Sequence, residues 1–402
     1  MRQAYIIDTI RTPIGNFGGT LASVRTDELA VIVLKELMAR NQSIDPTMIA
    51  DVILGCANQA GEDNRNVARM ASLMAGLPVS VPGETVNRLC ASGLSAAASA
   101  ARMIMCGDAE LMISGGVENM TRGPWVISKT STPYGRDAQM FDSSFGWRFV
   151  HPKMKELFGT DAMGDTAENL AGQHTISRID QDAFSMRSQQ KATAAQAKGR
   201  FAKEIVKVEI PQRKGEAKVF DQDEFIRPDS SMEVLGKLKP AFKKDGSVTA
   251  GNSSGLNDGA ACMLIASGDA MKKYSLKPLA KIISSAAIGV EPRIMGIGPV
   301  EASNIALKKA GISMKDIDII ELNEAFAAQS LACIRTWGLK DDDSRINPNG
   351  GAIALGHPLG MSGSRILGTA ALELQEQGKR YALVTMCVGV GQGFAVVIES
   401  AG

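Results

Sequence analysis

The two halves of the sequence repeat one strand–turn–helix pattern at a constant spacing. One short apolar run starts at Asp51 and another at Asp318, and both have the composition of a buried strand. Thirty-nine residues after each start stand two similar hexapeptides, Cys90-Ala-Ser-Gly-Leu-Ser and His357-Pro-Leu-Gly-Met-Ser. The equal interval and the shared glycine and serine positions indicate that one β/α unit was duplicated.

The segments after the two hexapeptides extend the match. Both are rich in alanine and leucine and predict helices over 94–106 and 361–377. Gly107 and Gly378 follow these segments, and glycine commonly ends a helix. Apolar runs at 111–113 and 382–384 then predict one more strand in each half. Strands that alternate with helices over short connections predict an α/β fold built in layers.

The repeat is interrupted between residues 122 and 246. This stretch has polar turns, a predicted helix over 180–199 and a strand-like run at 205–210. It carries 21 basic and 17 acidic residues, whereas the whole chain of 402 residues has a net charge of only +1. We therefore predict an N-terminal domain of residues 1–121 and 247–271, an inserted domain of residues 122–246 and a C-terminal domain of residues 272–402.

Composition argues against several classes of protein. The 44 basic and 43 acidic residues create no global field for nucleic acid. The N-terminus shows no targeting segment and we find no apolar run of membrane-spanning length, so we expect a cytoplasmic protein without membrane contact. The six cysteines are spaced singly and no cysteine–histidine cluster has zinc spacing, so we expect reduced thiols and no metal site.

Cys90 and His357 are candidate catalytic residues because they occupy equivalent positions in the repeat. A cysteine at the start of a helix faces free N–H groups, which favour the thiolate, although a buried structural cysteine is the alternative. If the two domains pack about a pseudo-twofold axis, their helix starts converge. A thiol would then lie beside an imidazole, which is a standard means of activating cysteine.

Cys387 and Asn323 extend the candidate site. Cys387 ends the last apolar run and precedes several glycines, but no helix follows, so a dinucleotide-binding loop is excluded. Its thiol suits proton transfer beside an oxyanion hole. Asn323 could hold a water that donates to an oxyanion, or it could cap a helix over 324–334. Two thiols, an imidazole and an amide together suit covalent acyl transfer at a thioester.

These residues resemble the thiolase family along nearly the whole chain, from Arg11-Thr-Pro-Ile-Gly to the final Gly-Gln-Gly. The specific blocks are Asn87-Arg-Leu-Cys-Ala-Ser-Gly, the segment from Asn323-Glu-Ala-Phe to Gly356-His-Pro, and Cys387-Val-Gly-Val-Gly. The resemblance implies the thiolase fold, in which two α/β/α domains with mixed five-stranded sheets carry an inserted loop domain that covers CoA. It also implies a homodimer or homotetramer that uses CoA and acyl-CoA as substrates, with no tightly bound cofactor.

The resemblance also implies roles for individual residues. Cys90 would be the acylated nucleophile, activated by His357, which forms one oxyanion hole with a water held by Asn323. Cys387 would be the acid and base, and the N–H groups of Cys90 and Gly389 would form a second oxyanion hole. The implied CoA contacts are Arg227, Leu238, Phe242, Ala250 and Ser254, and the implied acyl-end contacts are Met163 and Phe326.

The favoured substrate is 3-oxoadipyl-CoA, either cleaved or formed by the reverse Claisen condensation. The segments that start at Gly55 and Gly146 look most like β-ketoadipyl-CoA thiolases of aromatic catabolism, although Ala91 stands where those enzymes often have glycine. Short-chain acetoacetyl-CoA thiolases commonly have His-Met where this chain has Ala162-Met163. Acetoacetyl-CoA stays open as an alternative substrate. A condensing enzyme of the ketoacyl synthase type is a further alternative, against which Cys387 speaks.

The inserted segment offers three cations that could bind the distal carboxylate of such a substrate. They are Arg136, Arg148 and Lys153, and each could equally be solvated surface charge.

Overall fold

The computed structural model describes residues 2–402 and contains both predicted kinds of element. Its strands are Ala4–Arg11 (β1), Gly15–Asn16 (β2), Asp51–Gly55 (β3), Gly83–Val86 (β4), Leu111–Asn119 (β5), Trp125–Ile127 (β6), Met140–Asp142 (β7), Val208–Ile210 (β8), Lys218–Phe220 (β9), Asn257–Ser267 (β10), Ala280–Gly289 (β11), Ile319–Leu322 (β12), Tyr381–Val388 (β13) and Gln392–Ser400 (β14). Its helices are Thr26–Arg40 (α1), Val67–Ala75 (α2), Ser92–Cys106 (α3), Pro152–Phe158 (α4), Met163–Gln173 (α5), Arg178–Ala197 (α6), Met232–Gly236 (α7), Gly268–Tyr274 (α8), Gly298–Ala310 (α9), Ala327–Thr336 (α10), Ala352–Leu355 (α11) and Leu359–Gln377 (α12). The predicted α/β class is confirmed.

One mixed sheet runs through both halves in the order β12-β13-β14-β11-β1-β10-β5-β3-β4, and β2 pairs with β10. The first half contributes five strands to this order, of which β3 lies parallel to β4 and β5. The second half repeats the parallel contact between β12 and β13. Antiparallel pairing of β1 with β11 joins the two halves edge to edge.

The second half differs from the predicted five strands. Within residues 2–402 it contributes β11, β12, β13 and β14, and the place of a fifth strand holds a single bridge between Ile320 and Ile346. The next residue, Asn347, has a positive φ of 43°. A residue in the left-handed region cannot continue a strand, so the chain leaves the sheet there.

Helices α3 and α12 are the duplicated helices, and they cross each other within the main core. A Cβ on Gly363 would stand 2.3 Å from the backbone nitrogen of Leu94, so only glycine allows this approach. Both helices end at the predicted glycines, Gly107 and Gly378, in the left-handed conformation. The segment Leu89–Cys106 is long and apolar enough to cross a membrane by length and composition, which corrects our expectation that no such run exists. It lies in the core because its alanine side chains pack there.

The inserted segment contains the predicted helix as α6, and the strand-like run at 205–210 shortens to β8. Helices α5 and α6 pack against α10 of the second half, so the insertion covers that half as well as the first. The predicted boundary between residues 271 and 272 falls inside α8, and a boundary after Tyr274 would keep this helix intact.

Candidate active site

Cys90 lies in a tight turn between β4 and α3. The preceding residue, Leu89, has a positive φ of 45°, which costs energy for a residue other than glycine. Side chains hold this turn from both ends. The Leu89 N–H donates to Asn87 Oδ1 at 2.9 Å, and the Ser92 hydroxyl donates to the Leu89 carbonyl at 2.6 Å. The turn therefore holds the thiol at the N-terminal end of α3.

The Cys90 thiol is buried, and burial is the main influence on its ionisation. Burial raises the pKa of Cys90 to about 11, although the N–H groups of Gly389 and of Cys90 itself favour the thiolate. Our expectation that the helix start would favour the thiolate is therefore wrong for the resting protein. That expectation considered the helix N-terminus and left out desolvation, which cannot be read from local sequence.

His357 is neutral, and its hydrogen bonds fix which ring nitrogen carries the proton. The Ser362 hydroxyl donates to the Pro358 carbonyl at 2.7 Å, so its oxygen accepts the His357 Nδ1–H at 2.6 Å. Nε2 is then unprotonated and faces the Asn323 amide at 3.4 Å. Burial and the nearby Arg365 guanidinium lower the pKa of His357 to about 3. The lone pair of Nε2 therefore points toward the Asn323 amide, which donates to it over a long contact.

Asn323 follows β12, and the interpretation as a helix cap is wrong. Helix α10 starts at Ala327 and Phe326 occupies its N-cap position. The Asn323 N–H donates to the Thr385 carbonyl at 3.0 Å, which holds the residue beside β13. Its side-chain Oδ1 is buried and has no hydrogen-bond partner within the described part of the chain, residues 2–402.

Cys387 lies near the end of β13, opposite Gly393 of β14. We expected it in the terminal strand, but β14 follows as a further buried strand, and the glycines after Cys387 form the connecting hairpin turn. Burial raises the pKa of Cys387 well above that of a free thiol, and the neighbouring Cys90 raises it further. The two thiols share one buried site with the Gly389 amide.

The pseudo-symmetry relates Cys90 to His357 and relates the site to two further residues, Cys56 and Glu118. Val52 pairs with Ile113 and its counterpart Ile319 pairs with Ala382. In this register the second half has Asn323, His357 and Cys387 where the first half has Cys56, Cys90 and Glu118. The candidate site thus takes Cys90 from one half and Asn323, His357 and Cys387 from the other half.

Glu118 is buried at the position equivalent to Cys387. Its carboxylate accepts N–H groups from Ala57 at 3.0 Å, from Asn58 at 2.9 Å and from Gly360 at 2.8 Å. Gly360 lies in the first turn of α12, three residues after His357, so Glu118 ties this helix start to the half that contains Cys90. Burial raises the pKa of Glu118 to about 7.

Glu118 also belongs to a trio that the sequence did not reveal. Ligand atoms of Cys56, Asp63 and Glu118 all lie within 4.8 Å of one another. These atoms already have hydrogen-bond partners in the chain, since the Cys56 thiol donates to the Asn58 carbonyl at 2.8 Å and Asp63 accepts the Gly61 N–H at 2.9 Å. No spacing motif signals this group, because only the fold brings its members together.

The residues expected to contact CoA form an apolar path from the surface to the thiols. Phe242 is 43% exposed and contacts Phe326 edge to face, with ring centroids 6.0 Å apart. Phe326 is buried in one cluster with Cys387, and Met163 packs against that cluster. Leu238 lies at the outer end, partly exposed against Gly251.

The remaining expected contacts surround this path. The Arg227 guanidinium lies over the Phe225 ring, 5.5 Å from its centroid, and Ala250 is exposed. Ser254 is half-buried, and its N–H donates to the Ala325 carbonyl at 3.0 Å.

The three cations of the inserted segment differ in environment. Arg136 and Lys153 are exposed, as expected of surface charge. Arg148 is half-buried, and its Nη1 donates to the Ser143 carbonyl at 3.4 Å.

Sequence reasoning missed two residues that position His357. Ser362 accepts its Nδ1–H, and Asn257 accepts its backbone N–H at 2.9 Å. The sequence could have indicated Ser362, because it is the last residue of the repeated hexapeptide. No sequence pattern indicates Asn257, because it comes from β10, 100 residues away in sequence.

Comparison with known proteins identifies the family. Residues 4–269 match the family model described as "Thiolase, N-terminal domain", and residues 276–400 match "Thiolase, C-terminal domain". The chain belongs to the thiolase family and is an acyltransferase that cleaves its substrate with CoA. Membership of this family rules out the alternative of a ketoacyl synthase.

Relatives and solved structures agree over full length. The β-ketoadipyl-CoA thiolase of Acinetobacter baylyi is 57% identical over 99% of this chain and 100% of its own. The 3-oxoadipyl-CoA/3-oxo-5,6-dehydrosuberyl-CoA thiolase of Escherichia coli is 56% identical over the same shares. A crystal structure of human mitochondrial 3-ketoacyl-CoA thiolase in complex with CoA is 40% identical, with a TM-score of 0.92 over 100% of this chain and 98% of that one.

Proposed function

We propose that the protein cleaves 3-oxoadipyl-CoA with CoA to give acetyl-CoA and succinyl-CoA, through an acyl group carried on Cys90. The sequence similarity to thiolases named for this substrate supports the acyl chain. The observation that carries the chemistry is the tautomer of His357. Because Nδ1–H donates to Ser362, Nε2 is unprotonated, and its lone pair can take the proton of the Cys90 thiol in place of the long contact from the Asn323 amide.

In the first half-reaction His357 Nε2 takes that proton while the sulfur attacks the 3-oxo carbon. The C2–C3 bond then breaks and leaves a succinyl thioester on Cys90, and the Cys387 thiol protonates C2 to release acetyl-CoA. The N–H groups of Gly389 and Cys90 stabilise the oxyanion at the attacked carbon. The acetyl-CoA oxygen is stabilised by His357 and by a water bound to Asn323.

In the second half-reaction the Cys387 thiolate takes the proton of the incoming CoA thiol. The CoA sulfur attacks the succinyl thioester, and Cys90 leaves as the free sulfur and recovers its proton from His357. Atoms and protons balance over the cycle, and both cysteines return to the thiol. CoA reaches the two thiols along the apolar path of Leu238, Phe242 and Phe326.

The test is incubation of the protein with 3-oxoadipyl-CoA in the absence of free CoA, followed by peptide mass spectrometry. We expect the mass of one succinyl group on the peptide that carries Cys90, and loss of this mass when CoA is added. An unmodified Cys90 in protein that turns over would contradict the proposal. Rates with 3-oxoadipyl-CoA, acetoacetyl-CoA and a longer 3-oxoacyl-CoA decide the substrate, and we expect the first to be fastest.

We also propose that the chain works as a homodimer or homotetramer. The hairpin of β6 and β7 carries large apolar side chains on its surface, with Trp125 72% and Ile127 66% exposed. Exposed apolar side chains in such a cluster are typical of a protein–protein interface. Light scattering after gel filtration should give a multiple of the chain mass, and Trp125→Ser/Ile127→Ser should lower it. A monomeric wild-type protein would overturn this proposal.

A further inference from the structure

A small, solvent-open cavity lies beside the candidate active site. Apolar side chains form its near wall, among them Met163 and Val390. The Met163 sulfur lies 3.9 Å from the position that a Cβ on Gly389 would take, and the Gly389 N–H is close enough to the Cys90 thiol to favour its thiolate. The cavity therefore starts within one side chain's length of the nucleophile.

The far wall of this cavity carries a cation, Arg293. Its Nε donates to Asp161 at 3.0 Å, and the Asn169 amide donates both to Asp161 at 3.1 Å and to the Arg293 carbonyl at 2.9 Å. These contacts hold the guanidinium in place from one edge. Among residues 2–402 its two terminal nitrogens make no hydrogen bond, and the side chain is 58% exposed. Two adjacent N–H groups of a guanidinium match the geometry of a carboxylate.

We propose that Arg293 binds the distal carboxylate of the acyl group on Cys90 and so determines the specificity for a dicarboxylic acyl chain. This inference rests on the proposed function. A succinyl group on Cys90 places its carboxylate carbon three C–C bonds, roughly 4 Å, from the thioester carbon. The methylene groups lie along Met163 and Val390, and the carboxylate meets the guanidinium.

The cavity favours Arg293 over the other cations near it. Arg148 stands next to the cavity-lining Trp147, but Arg148 itself does not line the cavity, and it donates to the Ser143 carbonyl. Arg136 and Lys153 also lie outside the cavity lining. Of the guanidinium nitrogens of Arg293, only Nε donates to Asp161. The two terminal nitrogens of the guanidinium can therefore bind a substrate carboxylate.

The experiment compares two substrates of equal length, 3-oxoadipyl-CoA and 3-oxohexanoyl-CoA, which carry a carboxylate and a methyl group at the same end. For Arg293→Gln we expect kcat/KM with 3-oxoadipyl-CoA to fall about 10- to 100-fold, the loss of one charge-assisted contact. With 3-oxohexanoyl-CoA it should stay within about twofold of wild type. Arg148→Gln is the matched control and should leave both values unchanged.

Three results would overturn the role of Arg293. An equal loss with both substrates would mean a structural role, and no loss with either would exclude contact with the substrate. A selective loss in Arg148→Gln alone would place the carboxylate at that residue. These results are distinct from failure of the proposed function, which would show as wild-type protein that does not turn over 3-oxoadipyl-CoA at all.

Discussion

At the scale of single residues, the site starts its reaction from two neutral partners. Burial raises the pKa of Cys90 to about 11 and lowers that of His357 to about 3, so neither group is charged between pH 5 and pH 9. In a thiolate–imidazolium pair the pKa of the thiol would be lowered and the pKa of the imidazole would be raised. In the proposed mechanism the proton would therefore move from Cys90 to His357 during attack on the substrate and not before it.

This resting state predicts the pH dependence of thiol alkylation. The rate of Cys90 modification by iodoacetamide should rise about tenfold per pH unit from pH 7 to pH 10, because only the thiolate reacts. Mass spectrometry of the Cys90 peptide over this range gives the rate, and the peptide with the exposed Cys106 gives the rate of an accessible thiol in the same sample. A plateau below pH 8 would show that a thiolate is already present.

The same residues show what the sequence could predict at this scale. The repeat alone selects Cys90 and His357 as candidates, because equivalent positions in a duplicated fold can meet near its axis. Their charge states were not predictable, since burial depends on contacts between the two halves. Glu118 was missed for the same reason, because its partner Gly360 lies 242 residues away.

At the scale of elements, the crossing of α3 and α12 depends on glycine. On Gly363 a Cβ would lie 2.3 Å from the backbone nitrogen of Leu94 and 2.6 Å from its Cβ. Neither atom belongs to the end of a flexible side chain, so the helices would have to separate. His357 stands just before α12, so the separation would also displace the imidazole from its contacts with Asn323 and Asn257.

We therefore expect Gly363→Ala to lower the free energy of unfolding by about 1–3 kcal/mol or more and to reduce kcat. The matched control is Gly172→Ala near the end of α5, where a Cβ meets nothing within 4 Å. This control should raise the free energy of unfolding by about 0.4–1 kcal/mol, because alanine restricts the unfolded chain. Urea unfolding and steady-state kinetics of both variants check these expectations, and a stable, active Gly363→Ala would contradict them.

Sequence reasoning worked well for elements whose signal is local. The helices at 94–106 and 361–377 were found to within two residues, and Gly107 and Gly378 end them as predicted. It failed where tertiary contacts decide. The sequence predicts Cys387 at the end of the last strand, but β14 follows β13 as a hairpin. The resemblance implies a fifth strand in the second half, which is reduced to a bridge at Ile346.

At the scale of the whole molecule, a buried ionic network joins the inserted segment to both halves. Arg11 of β1 is 2% exposed and donates to both oxygens of Asp223, at 2.7 and 2.9 Å, and to Glu204 at 2.6 Å. Glu204 also accepts from Arg200 at 3.2 Å, and Arg200 donates to Glu373 of α12 at 2.9 Å. Asp223, Glu204 and Arg200 belong to the insertion. The net charge of +1 thus conceals a chain of buried charges that holds the three parts together.

Removing the cation at the centre of this network should destabilise the whole chain. Arg11→Met leaves Asp223 and Glu204 buried without their main partner, and breaking a buried pair on one side typically costs about 3–5 kcal/mol. Urea unfolding at pH 7.5 should show this loss. Arg380→Met is the control, because Arg380 is exposed and its ion pair with Glu399 lies at the surface. The urea concentration at the midpoint of unfolding should be unchanged in this variant.

The pH dependence of the loss separates lost charge pairing from lost packing. The neighbouring guanidinium groups lower the pKa of Glu204 below its usual 4.5 despite burial. A carboxylate with a lowered pKa contributes stability that is present above the unfolded-state value and is lost as the pH falls through the folded-state value. The difference between wild type and Arg11→Met should therefore be largest at neutral pH and shrink below about pH 4.5. A difference that stays constant from pH 7.5 to pH 4 would assign the loss to packing of the Arg11 side chain against Phe201, whose ring centroid lies 5.3 Å from the guanidinium.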